Sequence, residues 1–221
     1  MGSDDAPRAS RPGKPAELPV LTPAEVAARE AENGLRQFDR MIELFERAIA
    51  VGASPFRLRP STLLDLQRLA VDGLVASAGY FRQGPIDITG TKHQPPPAAE
   101  VAAYVDEMCE YVQDHWYASP VHLSAYLMWR LSWIHPFDDG NGRTSRAVSY
   151  LVLCARLGQR LPGTKTIPER IAEAKFDYYD ALDAVDAAWS AGKVDVSAME
   201  ALLELHLRDQ LIETFNAATG R

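Results

Sequence analysis

The twelve residues from His135 to Arg146, HPFDDGNGRTSR, are the densest cluster of polar and glycine residues in an otherwise apolar neighbourhood. Gly140 and Gly142 have no Cβ, so the backbone there can take positive φ and turn its N–H groups toward an anion. Asn141 tolerates the same left-handed region. The loop runs into a helix, whose unpaired first-turn amides and dipole favour negative charge. Arg143 and Arg146, three apart, share a face of that helix and direct two forked guanidiniums at the same oxyanions, which suits a polyphosphate better than one carboxylate. Asp138 and Asp139 are the only acids in the loop. Asp139, beside Gly140, is the ligand expected for Mg²⁺, which takes one or two carboxylates plus phosphate oxygens. His135 ends the preceding helix, and an imidazole titrating near neutrality can accept the proton of an attacking hydroxyl. These residue types point to phosphoryl or nucleotidyl transfer, with Phe137 anchoring the loop in the core.

Counting excludes other readings of the loop. Its glycine spacing fails the Walker pattern. An EF-hand starting at Asp139 would need an acid at Arg143, a glycine at Thr144 and a glutamate at Tyr150. Composition narrows the class further. Lys+Arg 23 against Asp+Glu 30 gives a net charge of −7 without a basic run, which argues against binding nucleic acid through its phosphates. Cys109 and Cys154 lie in apolar helical patterns with no metal-ligand spacing and read as buried reduced thiols. No leader-like or membrane-length apolar stretch is present, so a cytoplasmic protein with no membrane association is expected.

Two helices must hold the loop. Before it, Ser119-Pro120 starts a stripe through Leu123, Tyr126, Leu127, Leu131 and Ile134; after it, Val148, Leu151, Val152 and Ala155 form a stripe that Gly158 stops. Residues 1–20, rich in proline, glycine and charge, read as a disordered tail ahead of a single domain at 21–221. Thr22-Pro23-Ala24-Glu25 is a helix start, with Asn33-Gly34 as its stop and a second helix from Leu35. Residues 80–97, with four prolines and the alternating Ile86-Asp87-Ile88 before Thr89-Gly90-Thr91, read as a short β-hairpin. Val101, Tyr104, Val105, Met108 and Val112 mark one more helix. Lys175 to Trp189 marks another, and Ser197, in a capping box with Glu200, opens the last. The expectation is an all-α bundle of about eight helices with one hairpin. His93, His115, His122 and His206 read as structural, and Tyr178 and Tyr179 either as core-edge aromatics or as the border of a nucleotide pocket.

The loop resembles the Fic family, whose signature HxFx(D/E)GNGRxxR is met at all eight specified positions by His135, Phe137, Asp139, Gly140, Asn141, Gly142, Arg143 and Arg146. The resemblance implies a Fic-fold helical bundle that acts as a protein adenylyltransferase, moving AMP from Mg-ATP to a Ser, Thr or Tyr hydroxyl of a target protein. By similarity, His135 is the general base, Asp139 holds Mg²⁺, and Gly140, Asn141, Gly142, Arg143 and Arg146 orient the triphosphate. Thr89, Gly90, Thr91, Tyr178 and Tyr179 border the nucleotide; Ile88 and His93 belong to a flap at 80–97 that aligns the target segment. Self-inhibited relatives carry (S/T)xxxE(G/N) on a helix. Here Glu32-Asn33 on residues 21–34 matches its end and Ala28 departs from its start, implying that Glu32 pairs with Arg146 and blocks productive ATP binding. De-modification, transfer of another nucleotidyl or phosphoryl group, and a non-catalytic binding module are the alternatives; self-association is left open.

Overall fold

The chain's first helix starts where Thr22 and Glu25 cap each other. Glu25 N donates to Thr22 Oγ1 at 3.3 Å, and Glu25 Oε2 accepts from Thr22 N at 2.8 Å. The Thr22 amide and, at 2.7 Å, the Thr22 hydroxyl both donate to Glu25 Oε2 and hold the carboxyl below its usual range. A computed structural model describes residues 18–50, 56–163 and 165–220; residues 1–17 of the expected tail lie outside the described residues.

Helix α1 (Pro23–Ile49) runs straight through Asn33-Gly34, where a stop was expected. Its buried residues Asn33, Gln37, Met41 and Phe45 recur every four positions, a stripe that persists across the pair. Asn33 spends its side-chain amide on a distant acceptor, Asp72 O, at 2.9 Å instead of breaking its own helix. Gly34 occupies open space, with nothing a Cβ would meet.

Helices α2 (Pro60–Ala70), α3 (Val101–Asp114), α4 (Pro120–Ile134) and α5 (Asn141–Leu157) follow, α3 being preceded by a 3₁₀ turn at Ala98–Glu100. The expected stripes are buried, with Tyr104 and Ala155 only half-buried: Val101, Val105, Met108 and Val112 on α3, and Leu123, Leu127, Leu131 and Ile134 on α4, are all 0% exposed. Helices α4 and α5 make the most extensive contact in the molecule. Ser124 Oγ and Ser149 Oγ, each more than two turns from the connecting loop, lie 2.7 Å apart, so the two helices run antiparallel and lift the loop to one end of the bundle. Gly158, in the left-handed region, ends α5.

Helices α6 (Ile167–Glu173), α7 (Lys175–Ser190) and α8 (Ser197–Thr219) complete eight α-helices among the described residues. Helix α6 opens with a Thr166–Glu169 capping box that the sequence reading passed over. The capping box expected at Ser197 does not form. Glu200 instead accepts from His122 Nδ1 at 2.7 Å, and Asp195 takes the Ser197 amide at 3.1 Å.

Residues 80–97 differ from expectation as well. No strand is present among the described residues, so there is no β-hairpin. The alternation is real, since Ile86 and Ile88 are half-buried while Asp87 and Thr89 are exposed. The segment turns at Gly90 without forming a ladder on either side, and Pro95, Pro96 and Pro97 have no N–H to offer one. No helix of the described residues is long and apolar enough to cross a membrane.

Candidate active site

Phe137 is 0% exposed and plants the 135–140 loop in the core. Asn141 then ties the loop to the start of α5: its Nδ2 donates to Phe137 O at 2.7 Å and its Oδ1 accepts from Phe137 N at 3.0 Å. Asn141 borders the cavity described below, but its amide is committed to the loop backbone. Gly140 turns the chain with φ 81°, and a Cβ there would come within 2.8 Å of Val71 Cγ1. Gln67, 0% exposed, spans two segments by donating to Asp139 O at 3.0 Å and accepting from Gly79 N at 2.6 Å.

His135 caps α4 with φ 48°, the only positive φ outside glycine among the described residues. Its Nδ1 lies 3.4 Å from Ser132 O. A carbonyl only accepts, so Nδ1 carries the hydrogen and Nε2 keeps its lone pair. Burial pushes the imidazole down to about 4; the Ser132 carbonyl opposes this, and nearby Arg82 and His93 add to it. His135 is therefore neutral at neutral pH. The unfolded chain binds this proton near 6.5 and the folded protein only near 4, so the contribution to stability is complete above 6.5 and is lost as pH falls toward 4. An NMR titration of the His135 ring is expected to show no protonation at pH 6, where an unperturbed imidazole is mostly charged.

A cavity of about 290 Å³ opens beside His135 between the loop, the 88–93 segment and α7. It brings together His135, Asn141, Gly142, Arg146, Tyr178 and Tyr179 with Ile88, Thr89, Gly90, Thr91 and His93, all of them expected site residues. The Arg146 guanidinium makes no hydrogen bond or ion pair among the described residues, and burial lowers its pKa. Buried Tyr178 shares a hydrogen bond of 2.9 Å with Ser132 Oγ, while Tyr179 stays half exposed. His93 is turned inward: Nε2 donates to Trp133 O at 2.8 Å and Nδ1 faces Asp186 at 3.9 Å. Its ring is thus part of the wall. Asp186 accepts from Trp129 Nε1 at 2.7 Å, and burial raises its carboxyl.

Asp139, Gly140 and Arg143 do not border this cavity. Arg143 points toward α1, reaching Glu30 at 3.2 Å, Ala70 O at 3.2 Å and Asp139 at 2.9 Å. The expected Glu32–Arg146 pair is absent. Glu32 lies 3.9 Å from Arg29 and its side chain is 62% exposed. The helical register explains this: Glu30 stands two turns before buried Gln37 and faces the core side, whereas Glu32 is about 100° around the helix from buried Asn33. Glu30→Ala is expected to change ATP affinity by a few fold at most, since a half-exposed pair contributes about 0–1 kcal/mol, and Glu32→Ala to leave it unchanged; calorimetric titration with ATP checks both.

Sequence reasoning missed Gln67 and Arg82, whose side chains serve distant backbone groups and leave no local pattern.

The model of the Fic/DOC family matches residues 57–153, the stretch from just before α2 through most of α5. That stretch carries a Fic domain. Over 77 residues, 34% of this chain, it is 35% identical to the protein adenylyltransferase Fic of Drosophila persimilis, and that match spans 15% of the relative's length. The corresponding protein of Drosophila willistoni is 34% identical over 77 residues. The fold aligns with residues 134–508 of Fic-1 from C. elegans at a TM-score of 0.68 and 18% identity, covering 91% of this chain and 55% of that one. It aligns with a Fic domain containing signaling protein from Bacteroides thetaiotaomicron at a TM-score of 0.66 and 20% identity, covering 86% and 73%. The likeness to those structures shows the fold alone.

Proposed function

We propose that this Fic domain transfers AMP from ATP to a Ser, Thr or Tyr hydroxyl of a target protein. The observation that carries the reading is geometric: His135 and the Arg146 guanidinium, which makes no hydrogen bond or ion pair among the described residues, border one cavity. The target hydroxyl gives its proton to Nε2 as its oxygen forms a bond to the α-phosphorus. The bond from that phosphorus to the bridging oxygen breaks, and pyrophosphate leaves with its electron pair. Arg146 and the amides around Gly142 hold phosphate oxygens during the transfer. A base with a pKa near 4 is weak, but a bound polyphosphate places negative charge beside the ring and draws its pKa back up.

Mg²⁺ fits the residues present. Asp139 offers one hard carboxylate, 48% exposed, beside the loop amides, and no group of three metal-ligating side chains occurs among the described residues. That matches an ion held by one carboxylate and the nucleotide's own phosphates. Held by Asp139, whose carboxylate Arg143 also pairs at 2.9 Å, Mg²⁺ would supply charge neutralisation at the phosphates. The 86–89 segment, which pairs with no strand among the described residues, suits alignment of a target strand by main-chain hydrogen bonds. ATP and the target protein are the partners of this reading, and the cytoplasm its compartment.

The test is mass spectrometry of lysate proteins incubated with the pure protein, ATP and Mg²⁺. Peptides heavier by one AMP on a hydroxyl side chain are expected; hydroxyl phosphorylation, or loss of AMP from a pre-modified protein, would replace this function with another.

A further inference from the structure

Arg82 is a charged side chain only 2% exposed that forms no ion pair among the described residues and does not border the cavity. Its guanidinium is spent on four backbone carbonyls: Nε donates to His135 O at 2.8 Å, Nη1 to Gly84 O at 2.9 Å, and Nη2 to Pro96 O at 2.5 Å and Ile134 O at 3.4 Å. Its own amide donates to Pro136 O at 2.9 Å. Burying a guanidinium without a carboxylate costs much of its hydration, and these charge-assisted bonds offset that cost.

The acceptors come from two places. Ile134 and His135 end α4. Gly84 and Pro96 bracket the segment whose Ile88, Thr89, Gly90, Thr91 and His93 wall the cavity. The His135 carbonyl also belongs to the one non-glycine residue with positive φ among the described residues, a conformation that persists only where its surroundings enforce it. We propose that Arg82 is a positioning residue: one planar fork clamps the stem of the 84–96 segment to the carbonyl of His135, so the wall that receives the target and the base that deprotonates it are held in a single register. A lysine presents its three donors from one point and cannot span these carbonyls. The inference rests on the reading of His135 as the base.

Arg82→Met keeps the length of the stem and Arg82→Lys keeps the charge; thermal melting of each gives the folded fraction. At saturating ATP, Arg82→Met is expected to lower the transfer rate per folded molecule about 10²-fold, the scale of a 1 Å misplacement, with ATP affinity unchanged and Arg82→Lys recovering part of the rate. In the same samples without nucleotide, the ring-carbon NMR signal of His135, assigned by its absence in His135→Asn, is expected to move in Arg82→Met. A parental transfer rate, or an unshifted His135 signal in folded protein, would overturn the proposal. If Arg82→Met does not fold, Arg82→Lys is read by the same two criteria. If the parent itself transfers nothing from ATP, the functional reading fails alone, and the His135 signal still decides the role of Arg82.

Discussion

His135→Asn is expected to reduce nucleotidyl transfer by about 10²–10⁴-fold, the contribution of a positioned general base, while the melting temperature and ATP affinity stay close to those of the parent. Asparagine is the informative replacement because His135 sits at φ 48°, and asparagine is among the side chains that accept this region. It restores the backbone but has no nitrogen lone pair able to take a proton. His135→Ala removes the base equally and leaves the Cβ at positive φ without a polar side chain to compensate, so its melting temperature is expected to fall below that of His135→Asn. Rates from a single-turnover assay, compared with melting curves of both variants, check the pair. A residual rate within a few fold of the parent in folded His135→Asn would remove the imidazole from the chemistry.

Gly140→Ala is expected to give the largest loss of stability of any single methyl addition in the loop. Two costs combine. A non-glycine residue at φ 81° carries roughly 1–2 kcal/mol of steric strain. The new Cβ would also sit 2.8 Å from Val71 Cγ1, and overpacking of this kind costs roughly 1–3 kcal/mol. The sum, about 2–5 kcal/mol, is a large share of the stability of a domain this size. It is measured as a shift of the urea midpoint at constant slope. Because Gly140 lies between Asp139, held by Gln67, and Asn141, which locks onto Phe137, relief of the clash would displace the loop, and activity per folded molecule is expected to fall as well. Gly34→Ala is the control: nothing lies within 4 Å of a Cβ there and φ is helical, so that change is expected to be neutral or stabilising.

The turn, anchor and helix start of the 135–146 loop were legible because each of those requirements is local; the positive φ expected at Gly142 and the convergence of Arg143 with Arg146 are not seen. Positive φ asks for glycine at Gly140, the anchor asks for an aromatic at Phe137, and a helix start places Arg143 and Arg146 on its first turns. The stripes of α3, α4 and α5 were legible for the same reason, since periodicity reports burial directly. Misreadings arose where tertiary contacts outweighed local preference. Asn33-Gly34 reads as a helix stop until Asp72 is found to take the Asn33 amide. The 86–93 segment alternates as a strand does, but alternation cannot supply a pairing partner. Glu32 matched a pattern in the sequence, whereas the register of α1 turns Glu30 toward Arg143. Arg82 and Gln67 were invisible because their partners are backbone carbonyls and amides, which every residue possesses.

In the proposed reaction His135 deprotonates a hydroxyl for attack at the α-phosphorus of ATP. The most direct test is to incubate parent and His135→Asn proteins with Mg²⁺ and ATP radiolabelled at either the α- or the γ-phosphate, and to count the label retained on protein. Retention of α-label alone by the parent sample, absent with His135→Asn, is the predicted result. Retention of γ-label, or α-label undiminished in the His135→Asn sample, would contradict it.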